Sequence, residues 1–212
     1  TQNSTGTGAM PTISFKEEDL ASGKLAWLLN GSEDEGIYKQ TLGEDAYPNF
    51  TGYDVSYSDD KGYYNDKTLD LVDGVYQIET ADDLMWFAAH VNEGNSSAKA
   101  VLLNDIDMTG KTWTPIGKTN ALAYRGTFDG QSHRIKNLVI DSTEDNQGLF
   151  GFIGGGVFIK NLTIDKSCSI KGGSNVGAIA AVAFADNANN CKVEYCANEA
   201  AVTGKENVGG IV

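Results

Sequence analysis

Three side chains that could carry acid–base chemistry fall within one glycine-rich stretch, GTFDGQSHRIKNLVI, at residues 126–140. Asp129, His133 and Arg134 together supply a carboxylate, an imidazole and a guanidinium, which could exchange protons with a substrate and orient it. Polysaccharide-cleaving enzymes use carboxylates in this way. Asp in a Phe-Asp-Gly-Gln sequence is also a common turn former, because its side chain bonds to nearby backbone. With no second acid or base next to His133 in the sequence, we assign these residues to a turn and predict no catalytic residue.

Candidate metal ligands are few. Asp105 and Asp107 lie two residues apart on one face of a predicted strand, and carboxylate oxygens are the ligands that calcium prefers. No EF-hand spacing or glycine-rich calcium repeat accompanies them. The cysteines lack CxxC spacing, and we predict that they pack as small apolar side chains. We therefore expect no metal site and no cofactor.

Aromatic side chains provide the candidate binding residues. Tyr53, Tyr57, Tyr63 and Tyr64 lie in a run rich in Asp, Asn and Gly. Such a surface could stack on carbohydrate or contact a protein, and the alternative for the same run is a solvated acidic surface. The partner that this surface predicts is a glycan or a host surface protein.

The net charge of the chain limits the classes of partner that it could bind. Its 212 residues carry a formal net charge of −13, with 29 acidic and 16 basic residues. Nucleic acids and anionic membranes select basic surfaces, so we expect no nucleic-acid partner and no electrostatic docking to lipid. No apolar run is long enough to span a bilayer, so we expect no membrane insertion by this segment.

Internal repeats determine the fold class. IKNLVI at 135–140 returns 24 residues later as IKNLTI at 159–164, and VEYC at 193–196 is a degenerate third copy. A second element follows each copy, and its glycines, Gly148, Gly177 and Gly209, are 29 and 32 residues apart. The segments are short, β-branched and bounded by Gly, Asn and Asp. Repeats of this length indicate a solenoid, here a right-handed parallel β-helix in a mostly β protein.

The repeated hexapeptide also predicts a turn. If Ile135 and Ile140 both face inward, the chain must bend at Asn137, a residue type that tolerates left-handed backbone. We predict that Asn137 and Asn161 occupy equivalent bends of successive coils, where their amides form a hydrogen-bonded ladder. Asp129 is predicted to form a turn of the same coils.

A helix precedes the repeats. Residues 80–93 predict an amphipathic helix in which Thr80 and Asp83 form a capping box. Its predicted apolar face consists of Leu84, Phe87, Ala88 and Val91. Solenoids need caps that cover their terminal apolar surface, and we assign this helix to that role.

Three segments follow from these patterns. Residues 1–14 are polar and predict a flexible tether, 15–70 a small appended α+β module, and 71–212 the β-helix with its capping helix. The sequence stops within an apolar strand, from which we expect a fragment truncated at its C-terminus.

The repeats resemble the GLUG-type repeats of large secreted bacterial proteins. The residues that carry the resemblance are GTFDGQSHRIKNLVI, GLFG, NVGAIA and NVGGIV, together with the entry segment at 74–117 and a linker-like element beginning SGKLAWLLN. Ser132 departs from the pattern, where glycine is usual, as do Ala178 and Ala180. The resemblance implies β-helical stalks in adhesin-like proteins of gut bacteria, exposed on the outer membrane or secreted. Similar repeats accompany secreted peptidases, but no HExxH sequence is present here.

The sequence therefore predicts a non-catalytic, extracellular, adhesin-like module that binds a partner or acts as a spacer. Two alternatives stay open, a carbohydrate-active β-helix enzyme and an accessory repeat region of a secreted peptidase.

Overall fold

The computed structural model describes residues 20–31, 38, 40, 48, 55–58, 62–65, 69–185 and 190–212. The chain forms two compact units, residues 1–68 and 69–212. The division falls after Thr68, close to the predicted boundary between residues 70 and 71.

The first unit contains a short helix and a β-hairpin. Helix α1 spans Lys24–Leu29 and buries Ala26, and Asn30 caps its C-terminus. Strands β1 (Val55–Ser58) and β2 (Gly62–Asn65) pair antiparallel.

Where the structure describes it, the second unit consists of short strands and one long helix. The helix, α2, spans Ala81–Asn92, and a 3₁₀ turn spans Asn120–Leu122. The strands are β3 Leu71–Val72, β4 Val75–Ile78, β5 Ala100–Leu102, β6 Ile106–Asp107, β7 Thr127–Asp129, β8 Arg134–Lys136, β9 Val139–Asp141, β10 Phe150–Gly154, β11 Phe158–Lys160, β12 Thr163–Ile164, β13 Ser169–Lys171, β14 Ser174–Gly177, β15 Ala180–Phe184, β16 Lys192–Glu194, β17 Ala197–Asn198, β18 Ala201–Thr203 and β19 Glu206–Gly209.

These strands form a parallel β-solenoid of about four turns, as the repeats predict. Successive coils place their strands side by side, so each side of the solenoid is a sheet that runs along its axis. One side is a six-stranded sheet in the order β16-β11-β7-β5-β4-β3, and the next is a four-stranded sheet, β17-β12-β8-β6. Within the described residues of this unit, the pairing of β3 with β4 is the one antiparallel pairing.

The core is built from columns of aliphatic side chains stacked along the axis. Ile106, Ile135 and Ile164 are in register on adjacent strands, and each is 0% exposed. Ile140 lies in register with Ile170 in another column. The predicted inward orientation of Ile135 and Ile140 is confirmed, since alternation along each strand sends their neighbours outward.

Helix α2 packs onto this core through the predicted apolar face. Leu84, Phe87 and Val91 are fully buried, and the ring of Phe87 lies 6.0 Å from that of Phe128 on β7. The predicted capping box is confirmed, because the Thr80 side chain accepts a hydrogen bond from the Asp83 N–H and the Asp83 carboxylate accepts one from the Thr80 N–H.

The two copies of the hexapeptide do not occupy equivalent places, which corrects the predicted register. Ile135 pairs with Ile164, whereas Ile159 pairs with Phe128. The first copy therefore turns the corner out of the four-stranded sheet, and the second turns the corner into it. The coil repeats at the longer spacing of the glycine-containing element, because interstrand hydrogen bonds align whole coils rather than local hexapeptides.

Close approach of the backbone explains the glycines of that element. A Cβ added at Gly177 would overlap the carbonyl of Ala180, and one at Gly209 would overlap the carbonyl of Val212. Larger residues are excluded there by packing rather than by backbone torsion.

Candidate functional site

The residues that could do chemistry lie on the outer surface at one corner of the solenoid. Asp129 ends β7 and makes a turn, accepting a hydrogen bond on Oδ1 from the backbone N–H of Gln131 at 2.9 Å. The same oxygen accepts from the amide of Asn161 at 2.9 Å, and the other lies 2.9 Å from Lys160 Nζ. Asp129 thus links its own turn to the next coil.

His133 and Arg134 contact different residues from those that Asp129 contacts. The carboxylate of Asp105 lies 3.3 Å from His133 Nδ1 and accepts the Arg134 backbone N–H at 2.9 Å. The Arg134 guanidinium donates to Asp165 at 2.7 Å and, in a bidentate pair, to Glu199 at 2.8 and 2.9 Å. His133 and Arg134 therefore share Asp105, whereas Asp129 belongs to a different contact between coils.

A line of charges crosses the four-stranded sheet as a result. We call Asp105, Arg134, Lys136, Asp165 and Glu199 the ionic stripe. Lys136 Nζ lies 2.6 Å from Asp105 Oδ2, so the stripe begins beside β6, passes through β8 and reaches the corner after β17. Bidentate pairs such as that of Arg134 fix geometry as well as charge. Its ion pairs join side chains of different coils, Lys136 with Asp105 and Arg134 with both Asp165 and Glu199.

The protonation states of these carboxylates suit hydrogen-bond acceptors that stabilise the fold. The hydrogen bond from Lys136, followed by that from the Arg134 N–H, lowers the pKa of Asp105 to about 2. The hydroxyl of Thr109 and the amide of Asn137 lower the pKa of Asp107 to about 2. For Asp129, burial raises the pKa, but the hydrogen bonds from Asn161, the Gln131 N–H and Lys160 outweigh it, and the net pKa lies below the usual value. These carboxylates stay ionised at neutral pH, whereas a general acid needs a raised pKa.

The predicted ladder residues bond to aspartates instead of to each other. Asn137 and Asn161 have the predicted left-handed backbone, with φ of 55° and 54°. The Asn137 amide donates to Asp107 Oδ1 at 2.8 Å, and that of Asn161 donates to Asp129. The prediction that they stack on one another is wrong, because they lie at different corners.

An asparagine ladder is nevertheless present at another corner. The amide of Asn175 donates to Asn146 Oδ1 at 2.9 Å, and that of Asn207 donates to Asn175 Oδ1 at 2.9 Å. All three have positive φ, between 52° and 62°. The sequence contains a signal for them, since each Asn stands two residues before a repeat glycine, in NQG, NVG and NVG.

The tyrosine cluster is placed only in part. The β-hairpin pairs Tyr57 with Tyr63 and Ser56 with Tyr64 through the backbone. Tyr53 and the side chains of Tyr57, Tyr63 and Tyr64 lie outside the described residues. Their assignment as binding residues remains a prediction.

The candidate calcium ligands have protein partners. Asp107 accepts from the N–H and hydroxyl of Thr109 as well as from Asn137, and Asp105 belongs to the ionic stripe. Within the part of the chain that the structure describes, no three His, Cys, Asp or Glu side chains come together as a metal site would require.

The six-stranded sheet carries a groove that the sequence patterns do not reveal. It has a volume of about 490 Å³, and its lining includes Val72, Val75, Val101, Thr127 and Gln131. Its lining comes from β3, β4, β5, β7 and β11 and the turns beside them, strands that are adjacent in the sheet and that extend from residue 71 to residue 160 of the sequence. No local motif could indicate it, because it exists only once coils are stacked.

Comparison with known proteins gives one partial similarity. The chain is 30% identical over 149 residues to Halomucin of Haloquadratum walsbyi, an alignment that covers 65% of this chain and 2% of Halomucin. The chain thus spans a small fraction of this relative's length. No described protein family matches the chain, and no solved structure matches it. Among the described residues, no helix combines the length and apolar character needed to cross a membrane.

Proposed function

We propose that this chain is a non-catalytic, extracellular binding module of a larger surface protein, in the manner of the GLUG-type adhesin-like repeats that it resembles. The observation that carries the proposal is the solenoid itself. Its stacked coils make a stiff support whose outer sheets repeat side chains at each coil, a geometry suited to displaying a binding surface. The partial similarity to Halomucin is compatible with placement outside the cell.

The contacts of the chemistry-bearing residues favour binding over catalysis. Asp129 and Arg134 bond to residues of neighbouring coils, and His133 contacts Asp105. Their substitution would therefore weaken the fold. A polysaccharide lyase or hydrolase would instead need two convergent acid or base groups facing a substrate.

The test is release of reducing ends from a panel of plant, mucin and host polysaccharides by the purified protein. We expect no release above that of a heat-treated sample. We expect the Asp129→Asn, His133→Gln double variant to melt at a lower temperature than the wild type. Release that rises with time and protein concentration, and that this variant loses while staying folded, would contradict the proposal.

Binding is tested directly by screening the same protein against immobilised glycans and host surface proteins. Saturable binding to either class supports the binding role. Failure to bind any of them would contradict the binding role and leave the spacer role. A spacer needs neither a ligand nor the avidity that repeated weak binding gives to a longer array.

A further inference from the structure

The groove on the six-stranded sheet has the chemistry of a ligand site. We call its lining residues the sheet groove; they are Val72, Asp73, Val75, Gln77, Lys99, Ala100, Val101, Thr127, Asp129, Gln131 and Lys160. Three valines provide apolar surface, and amide, hydroxyl, ammonium and carboxylate groups surround them. Ligand sites of proteins combine apolar lining with a few convergent polar groups in this way.

Several polar side chains of the sheet groove have no partner among the residues that the structure describes. The side chains of Lys99, Thr127 and Gln131 make no hydrogen bond or ion pair to any described residue, unlike Lys160, which pairs with Asp129 at 2.9 Å. Lys99 and Gln131 are exposed and Thr127 is half-buried. They are available to donate to and accept from a ligand without breaking the fold.

The backbone at one rim is strained. Gln131 and Ser132 have φ of 49° and 69°, so two consecutive residues with side chains adopt the left-handed conformation. L-residues with a Cβ rarely adopt it, and here it closes a tight turn in which the His133 N–H donates to the Gly130 carbonyl at 2.7 Å. The turn places Gln131 in the lining of the sheet groove, where its side-chain amide can reach a ligand. A glycine at this position would have no side-chain amide.

The strands beneath the sheet groove exclude recognition by strand addition. Strand β4 pairs with β3 and β5, and β7 pairs with β5 and β11, so these strands are paired on both edges. An extended peptide adds to a sheet by bonding to a free edge. A ligand of this surface must therefore be recognised by side chains alone.

The charge balance indicates a neutral ligand. Lys99 and Lys160 offset Asp73 and Asp129 in a chain whose net charge is −13. Sugar rings present apolar C–H faces and hydroxyls that both donate and accept, which matches valines flanked by amide, hydroxyl and charged groups. We propose that the sheet groove binds a neutral oligosaccharide. This inference rests on the proposed binding function and names its ligand class and site.

The experiment uses the full chain on an array of short neutral oligomers of glucose, xylose, mannose and galactose, with sialylated and sulfated glycans as charged comparators. Titration calorimetry with the best neutral oligomer then gives the affinity. We expect Thr127→Ala and Lys99→Gln each to weaken it about tenfold. The matched controls, Thr163→Ala on β12 and Lys205→Gln near β19, should leave it unchanged.

A second pair of variants separates binding from folding. Gln131→Gly relieves backbone strain and removes the amide, so we expect an unchanged or raised Tm together with about tenfold weaker binding. Ser132→Gly relieves the same kind of strain outside the sheet groove, and should keep the affinity.

Each contrary result has a distinct meaning. Neutral glycan binding that survives Thr127→Ala and Gln131→Gly overturns the site while the proposed function stands. Binding only of charged glycans, or of a protein partner and no glycan, overturns the ligand class. Absence of any glycan binding overturns the inference and leaves protein binding or spacing as the module's role.

Discussion

At the scale of single residues, positive backbone torsion and hydrogen bonding act together at the corners of the solenoid. Asn146, Asn175 and Asn207 have left-handed backbone and bond to one another through their amides. Asparagine suits these positions because it tolerates this conformation and carries both a donor and an acceptor. A repeated corner thus becomes a continuous hydrogen-bonded column.

The middle member of this ladder provides a test. Asn175→Ala removes two interresidue hydrogen bonds and places a Cβ-bearing residue without an amide at φ 58°. Asn175→Gly removes the same hydrogen bonds, but glycine adopts this positive φ without steric strain. We expect the alanine variant to lose roughly 2–3 kcal/mol of unfolding free energy, and the glycine variant about 1 kcal/mol less than that. Urea unfolding measures both, and equal losses would show that torsion contributes nothing.

The capping box is a second residue-scale feature. Thr80→Ala removes the side chain that accepts from the Asp83 N–H at the start of α2, and we expect a loss of about 1 kcal/mol. Thr119→Ala is the matched control, because Thr119 precedes the 3₁₀ turn without a side-chain capping bond. Thermal and urea unfolding should separate the two variants.

At the scale of elements, sheets running along the axis bring charges from distant parts of the sequence together. Arg134 on β8 reaches Asp165 after β12 and Glu199 after β17. These pairs join coils whose residues are 31 and 65 positions apart. The ionic stripe therefore opposes slippage of one coil against the next, since a shifted register would separate opposite charges.

The stripe predicts how stability depends on pH. The pKa of Asp105 is about 2 in the folded chain, against roughly 3.9 for an unperturbed Asp. The unfolded chain therefore takes up the proton first as the pH falls, so the stabilisation is present above pH ~4 and is lost towards pH ~2. We expect the Tm of the wild type to fall through this window.

Two variants assign that dependence to the stripe. Asp105→Asn removes the titrating group, and Lys136→Met removes the hydrogen bond that most lowers its pKa. Both should lower the Tm at neutral pH and make its fall between pH ~4 and ~2 shallower, while Asp107, whose pKa is also about 2, keeps part of the slope; Lys205→Gln should match the wild type. A wild-type slope in Asp105→Asn would place the dependence elsewhere.

At the scale of the whole molecule, burial depends on having coils on both sides. Val176 and Val208 are in register on β14 and β19, yet Val176 is 1% exposed and Val208 is 45% exposed. The same residue type at the same place in the repeat thus has two environments. Stability in a solenoid accumulates through interfaces between neighbouring coils.

These two valines form a matched pair for measurement. Val176→Ala should cost roughly 2 kcal/mol, from the lost transfer free energy and the cavity that remains. Val208→Ala should change the unfolding free energy by less than about 0.5 kcal/mol. Urea denaturation of both variants tests this difference, and similar costs would mean that Val208 is buried in solution.

Much of this architecture follows from the sequence by itself. Alternating apolar residues, repeat glycines and a capping box determine the strands, the coil length and helix α2, because each depends on neighbours close in the chain. Ile135, Ile140 and the apolar face of α2 are buried as those patterns predict.

Only the tertiary structure decided which residues meet between coils. The hexapeptide copies predict that Asn137 stacks on Asn161, but coil alignment gives the ladder to Asn175 and its neighbours. The ionic stripe and the sheet groove are also products of alignment. A local pattern specifies which way a side chain faces, whereas hydrogen bonds between whole coils specify what lies beside it.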